Sequence, residues 1–170
     1  IRAYREQLSF DAREQSVSLQ SLTGLSDNLA ALDQNAVLFY PLILENRLEL
    51  ILTVPGVSPI RRTVNLSRTE LNQLVVDLRS SLRSKNQVDI PATRQLSQQL
   101  YDILIRPIEA DLQAAGAETI IYSPDGALRY VPLAALNDGD AWLIENYQVN
   151  NITALSLTDL NTRPSGDFNI

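Results

Sequence analysis

The residue types that carry most enzymatic chemistry in proteins are missing from this sequence of 170 residues. It contains no histidine and no cysteine, so it offers no imidazole proton shuttle, no thiolate nucleophile and no thiolate zinc ligand. Its carboxylates are suited to acid–base catalysis by type, but nothing in their spacing favours that chemistry. We therefore predict no catalytic residue, no metal site and no bound cofactor.

A polar corner within TIIYSPDGALRYVPLAAL, residues 119–136, is the strongest candidate for a ligand site. A short apolar run ends there at Ser-Pro-Asp-Gly, and ligands commonly meet α/β sheets where strands end. Asp125 can equally bond its own backbone in a turn, with Gly126 supplying the left-handed conformation, so both interpretations stay open. Residues 128–133 are then predicted to be extended and to lie on an edge or leave the sheet, because Pro132 cannot donate to a ladder.

Three further polar or aromatic features have both a functional and a structural interpretation. The pair Arg61-Arg62 could bind an anion, although exposed arginines on an edge strand also prevent edge-to-edge pairing. Glu109 and Asp111 cannot share a helix face at a spacing of two, so we interpret them as solvated surface. Trp142, the only tryptophan, is interpreted as a packing aromatic rather than a ligand-stacking one.

The elements that position these residues begin with a β-rich part. Strand-like apolar runs occupy residues 36–44 and 47–54, and Glu45-Asn46 between them gives the spacing of a tight hairpin. A third run, residues 60–66, follows a Pro-Gly break and is polar enough to be an edge strand. These runs predict a small antiparallel meander.

Two amphipathic helices are predicted next. Ser67 and Glu70 fit a capping box that begins the first, Pro107 bends or restarts the second, and Gly116 ends it. The inward positions are Leu71, Leu74, Val75, Leu78 and Leu82 in the first helix, and Leu96, Leu100, Ile103, Leu104, Ile108 and Leu112 in the second. After a buried strand at Ile120, further extended pieces are predicted at 142–144 and 147–152. The predicted class is α/β, with a meander and two helices leading into the first strands of a sheet.

Composition limits the classes of partner. An apolar fraction of 45% is typical of a packed core, and a net charge of −6 disfavours nucleic acid. No apolar run has membrane-spanning length, and the charged first residues do not form a signal peptide. The sequence has no initiator methionine, so we interpret it as an excerpt from a longer chain. We predict a cytoplasmic location, with secretion as the open alternative.

Three linked segments resemble the N-terminal half of a CHAT domain. They are LYDILIRPIEADL at residues 100–112, TIIYSPDGALRYVPLAAL at 119–136 and DAWLIENYQVNNITALSL at 140–157. That family comprises caspase-like cysteine peptidases, bacterial members among them, that are distantly similar to separase and are often fused to tetratricopeptide repeats. The family's catalytic histidine and cysteine lie further along the chain, so the resemblance implies that neither falls within these 170 residues.

The resemblance implies a division of the chain and a role. Residues 1–35 would be a linker or the end of a preceding helical module, 36–160 the N-terminal part of a CHAT-like domain, and 161–170 a boundary loop. This part would be non-catalytic and would scaffold a Cys/His dyad that lies beyond the chain. Asp125 and Arg129 would border the substrate groove. The implied partners are a protein or peptide, helical repeats of the same polypeptide and the missing C-terminal half.

An autonomous protein–protein interaction module without a peptidase role is the alternative. It would dock a partner through the edge run 60–66 or through a leucine stripe near Leu25. The two hypotheses differ in the last predicted strand, residues 147–152. A half-domain would leave that strand with an unpaired edge, which favours a homodimer or aggregation, whereas a complete module would be a monomer.

Overall fold

A computed structural model describes residues 35–83 and 90–152, which contain a five-stranded mixed sheet in the order β3-β2-β1-β4-β5. The predicted α/β class is confirmed. The strands are β1 (Ala36–Ile43), β2 (Leu48–Thr53), β3 (Ile60–Val64), β4 (Thr119–Tyr122) and β5 (Gln148–Asn151). The helices are α1 (Arg68–Arg83), α2 (Ile90–Leu104), α3 (Glu109–Ala114) and α4 (Leu143–Asn146), with 3-10 turns at Arg106–Ile108, Gly126–Tyr130 and Leu133–Ala135. The predicted linker up to residue 34, the stripe near Leu25 and the boundary loop 161–170 lie outside the described residues.

The predicted antiparallel meander is confirmed in strands β1 to β3. β1 and β2 pair antiparallel across a turn in which the Leu44 N–H donates to the Arg47 carbonyl at 3.0 Å. β2 pairs antiparallel with β3, which lies at one end of the sheet as the polarity of its sequence predicted.

The capping box predicted at the start of α1 is present. The Glu70 backbone N–H donates to Ser67 Oγ at 3.2 Å, and the Ser67 backbone N–H donates to Glu70 Oε2 at 2.9 Å. Two N–H groups that a helix start leaves unpaired are thus satisfied. Leu71, Val75 and Leu78 are buried as predicted, but the prediction for Leu82 is wrong, because in the last turn of α1 it is 46% exposed.

Replacing Ser67 with alanine is expected to lower the free energy of unfolding by about 1 kcal/mol, because the Glu70 N–H loses its acceptor. Urea denaturation measures the change. Ser80→Ala is the matched control: Ser80 is exposed in the body of the same helix, where alanine is favoured, so no loss of stability is expected. Equal losses in the two variants would contradict a capping role for Ser67.

The second predicted helix restarts at its proline. α2 ends at Leu104, Pro107 lies within a 3-10 turn, and α3 follows directly. Gly116, at a φ of 59°, ends α3: its N–H donates to the Gln113 carbonyl at 3.0 Å, and the next N–H donates to Leu112 at 3.1 Å. Glycine adopts this left-handed conformation without the steric cost that a side chain brings.

β4 joins the meander to the second half of the sheet. It pairs in parallel with β1 on one side, where Phe39 faces Tyr122, and in parallel with β5 on the other, where Tyr122 faces Asn151. All four residues of β4 are buried, as expected for a central parallel strand. Alternate residues of β1 and β4, including Val37, Phe39, Ile120 and Tyr122, share one core cluster with the buried leucines and isoleucines of α1 to α3.

Two predicted extended segments are wrong. Residues 128–133 contain most of the 3-10 turn Gly126–Tyr130 and the beginning of another at Leu133–Ala135, and residues 143–144 begin helix α4. Leu128 and Val131 are both buried and three residues apart, as are Leu133 and Leu136. This spacing of three matches the three residues per turn of a 3-10 helix and differs from the period of two of a strand.

Candidate functional site

The corner after β4 is built by Asp125 and Gly126. Asp125 Oδ1 accepts the Gly126 N–H at 2.7 Å, and the Asp125 carbonyl accepts the Leu128 N–H at 3.1 Å. Gly126 has a φ of 50°, and a Cβ there would lie 3.3 Å from Ile43 Cδ1. The structural interpretation of Asp125, a turn residue that bonds its own backbone, therefore describes what its side chain does.

A pocket of about 220 Å³ opens beside this corner, where β4 and β5 end. The two strands are parallel, so their carboxyl ends meet at the same edge of the sheet. The Ile152 N–H donates to the Tyr122 carbonyl at 2.9 Å, and both residues line the pocket. The lining residues are Tyr122, Pro124, Arg129, Val131, Asn151 and Ile152.

Arg129 supplies a positive charge to the pocket. Its Nε donates to the Pro124 carbonyl at 3.4 Å, and its side chain forms no ion pair with any acidic residue in the described part of the chain. A guanidinium bonded only to a neutral carbonyl keeps donors for a ligand. Asp125 stands at the corner beside the pocket and does not line it.

Tyr40 on β1 belongs to the same neighbourhood. Burial raises the pKa of its hydroxyl, the negative charge of Asp125 raises that pKa further, and the positive charge of Arg129 lowers it. The charges of Asp125 and Arg129 thus both affect the pKa of the Tyr40 hydroxyl, so the structure brings the two predicted site residues close together. Sequence analysis did not identify Tyr40 and Asn151, because only the parallel pairing of β1, β4 and β5 brings these distant strands to the corner.

The groups at the corner are suited to binding rather than to proton transfer. Tyr122 is buried, its hydroxyl donates to the Leu128 carbonyl at 3.4 Å, and burial raises the pKa of that hydroxyl above its ordinary value of 10.0. The tyrosine therefore stays protonated near neutral pH. The sequence has no histidine or cysteine, so the corner lacks an imidazole base and a thiol nucleophile. A guanidinium, an amide and apolar walls can hold a peptide-like group in place.

The other polar features have structural partners. Arg61 Nε donates to Glu49 at 2.8 Å and an Arg62 nitrogen donates to Asp111 at 2.8 Å, so neither arginine is left free for an anion. Glu109 accepts the Tyr101 hydroxyl at 2.9 Å. The interpretation of Glu109 and Asp111 as merely solvated surface is therefore wrong, because each carboxylate bonds a residue of another element.

No group of three or more acidic side chains is placed to hold a metal ion within residues 35–83 and 90–152. In those same ranges no helix has both the length and the apolar character needed to cross a membrane.

Comparison with known families agrees with the predicted resemblance. The model of the CHAT domain family matches residues 94–167, which contain α2 from Arg94, the corner, the pocket and β5, and the predicted resemblance is confirmed there. The match supports a caspase-like, peptidase-related domain in this part of the chain. It does not include the meander, so the predicted domain bounds of 36–160 stay a prediction.

No curated protein matches this chain. Among solved structures, a chain of the PilM-PilN type IV pilus biogenesis complex is similar at 19% sequence identity and a TM-score of 0.36. That match covers 79% of this chain, and this chain spans 40% of the length of the other.

Proposed function

We propose that residues 36–160 are the non-catalytic N-terminal portion of a CHAT-type cysteine peptidase domain. In this role the sheet and its helices scaffold a Cys/His dyad carried elsewhere in the natural polypeptide. The observation that carries the proposal is the meeting of parallel strands β4 and β5 at a pocket that holds a guanidinium with no acidic partner among the described residues. This is the edge of an α/β sheet at which ligands bind.

The pocket would form one border of a peptide-binding groove. Arg129 would donate to a carbonyl or carboxylate of the substrate, and Asp125 would act mainly by shaping the turn that carries Arg129. The dyad would supply the chemistry, in which a histidine deprotonates the thiol and the thiolate attacks the peptide carbonyl. This chain by itself is expected to hydrolyse no peptide by that route.

The outer edge of β5 supports the same proposal. β5 pairs with β4 alone within the described residues, so its other side faces no described strand. An edge that no strand covers offers backbone groups for pairing. Gln148, Asn150 and Asn151 on this strand are exposed. A strand from the C-terminal half would cover this edge, and in its absence a second copy of the chain would do so. From the family resemblance we also propose that the polypeptide contains helical repeats that contact this domain, and that it is bacterial and cytoplasmic.

The proposal is tested on the natural polypeptide that contains this sequence. Its intact mass is measured first, against the 18.9 kDa of residues 1–170. A longer polypeptide with a histidine and a cysteine is then assayed for peptide hydrolysis. Arg129→Ala is expected to lower kcat/KM by roughly tenfold through KM, with kcat unchanged, because a binding contact to substrate is lost.

Arg62→Ala is the matched control for this assay. Arg62 lies on β3 at the opposite end of the sheet order, and its exposed guanidinium pairs with Asp111. We therefore expect kinetics like those of the unaltered enzyme. A natural polypeptide of 18.9 kDa would overturn the scaffold role and favour the interaction module, with β3 as its docking edge. A longer polypeptide in which Arg129→Ala hydrolyses peptides normally would remove Arg129 from the groove.

A further inference from the structure

A second pocket, of about 390 Å³, lies on the first half of α2. It shares no lining residue with the pocket at the corner after β4. Its lining residues come from successive turns of one helix and are Pro91, Arg94, Gln95 and Gln98. The pocket thus contains one guanidinium and two carboxamides, and each of these groups can donate hydrogen bonds.

Arg94 is unlike most arginines of the described part of the chain. Five of those nine arginines form ion pairs, namely Arg47, Arg61, Arg62, Arg68 and Arg106. Arg94 forms none with a described residue, and its guanidinium carbon instead lies 5.6 Å from the centre of the Trp142 ring. A cation–π contact takes up no N–H donor in a hydrogen bond, so the guanidinium keeps its donors for a ligand.

The loop that carries Trp142 is fixed against the same helix. Asn137 and Trp142 form an isolated antiparallel bridge, and the Asp138 N–H donates to the Ala141 carbonyl at 3.0 Å. Gln98 packs close to this loop, since a Cβ built on Gly139 would lie 3.1 Å from Gln98 Nε2. Trp142 therefore lies beside Arg94, and Gln98, one turn further along α2, lies beside the loop that carries Trp142.

We propose that this pocket binds a single carboxylate presented by a peptide. A guanidinium fork matches the planar carboxylate with two parallel hydrogen bonds, and the glutamine amides can add further donors. A polyanion is disfavoured, because the chain has a net charge of −6 and the adjoining loop contains Asp138 and Asp140. The carboxylate belongs either to an acidic side chain or to a chain terminus. The site does not depend on the peptidase proposal.

Tryptophan fluorescence tests the proposal at one defined place, because Trp142 is the only tryptophan of the sequence. The chain is titrated with N-acetylglutamic acid amide, which carries a side-chain carboxylate, with N-acetylalanine, which carries a terminal one, and with uncharged N-acetylalaninamide. We expect a saturable change in emission with at least one carboxylate and none with the amide. The carboxylate that acts identifies the source.

Arg94→Gln is expected to weaken the binding roughly ten- to a hundredfold, since a charged donor pair is lost. Arg94→Lys keeps the charge without the planar fork, so its affinity for the carboxylate is expected to lie between those of the unaltered chain and Arg94→Gln. Arg68→Gln removes the same charge from an exposed arginine at the first residue of α1, outside the pocket lining, and should bind like the unaltered chain.

Circular dichroism establishes that each variant is folded, and if Arg94→Gln is not, Arg94→Lys decides the result. Calorimetric titration repeats the measurement without relying on emission. The proposal is overturned if no carboxylate binds by either readout, if the amide binds equally well, or if the folded Arg94 variants bind like Arg68→Gln.

Discussion

Replacing Phe39 with alanine is expected to lower the free energy of unfolding by about 3–5 kcal/mol. Phe39 is fully buried on β1, between Leu52 of β2 and Tyr122 of β4, and its ring stacks on Tyr122 with centroids 5.7 Å apart. Removal of the ring leaves a cavity where the meander meets the parallel part of the sheet. Domains of this kind are stable by about 5–15 kcal/mol, so we expect a partly unfolded variant at elevated temperature.

Urea denaturation followed by circular dichroism measures this loss. Tyr130→Ala is the matched control, because it also removes an aromatic ring, but from a residue that is 59% exposed. Its ring contacts the Arg79 guanidinium at 4.3 Å, a surface contact that contributes about 1 kcal/mol or less. Phe39→Leu fills most of the cavity and should recover more than half of the loss. Similar losses for Phe39→Ala and Tyr130→Ala would contradict the central place of Phe39.

Replacing Glu49 with glutamine is expected to destabilise the chain by about 2 kcal/mol at neutral pH, because hydrogen bonds to an ionised group are lost. Glu49 is 3% exposed on β2 and accepts bonds from Arg47 at 2.6 Å, Arg61 at 2.8 Å and Thr63 at 2.7 Å. Burial raises the pKa of Glu49, but the bonds from Arg61, Thr63 and Arg47 outweigh it and hold that pKa at about 2.

The pH dependence of this contribution has a defined sign. The folded pKa of about 2 lies below the ordinary value of 4.5, so the unfolded chain takes up the proton first. Stabilisation by Glu49 is complete above about pH 4.5 and is lost as the pH falls towards 2. The difference in stability between the unaltered chain and Glu49→Gln should shrink across that window. Urea midpoints measured at a series of pH values test this.

Glu45→Gln serves as the control for the carboxylate. The Glu45 side chain is 81% exposed and lies 3.6 Å from an Arg68 nitrogen, so an effect below about 0.5 kcal/mol is expected at every pH. A difference between Glu49→Gln and the unaltered chain that stayed constant from pH 7 to pH 2 would show that the carboxylate charge is not what stabilises β2 against β3.

Local patterns were sufficient for the elements whose signals are short in range. The capping box of Ser67 and the end at Gly116 each depend on residues a few positions apart, and both were predicted correctly. Pro107 was predicted to bend or restart its helix, and the structure shows the restart. The meander was also predictable, because its strands are consecutive and joined by short turns. The 3-10 turn Gly126–Tyr130 was missed, since short apolar segments do not separate a period of two from a period of three.

The candidate site was predicted only in part. The corner at Asp125 and its local bond to Gly126 followed from the turn chemistry of the sequence. Tyr40, Asn151 and the pocket itself did not, because they depend on strands that are far apart in the chain and adjacent in the sheet. The pairing of Glu49 with Arg61 needed the register of β2 and β3, and the cation–π contact of Arg94 with Trp142 needed the packing of a loop on α2.

By itself, the sequence determined that the chain folds as an α/β unit and has no histidine or cysteine chemistry, and that segments within residues 100–157 resemble a CHAT domain. Residue types and short-range spacing suffice for those conclusions. Only the tertiary structure decided that β4 lies between β1 and β5 and that Arg129 lines a pocket. It also decided which arginines have no acidic partner among the described residues. Strand order and ion pairing depend on contacts between residues distant in the chain, which no local pattern encodes.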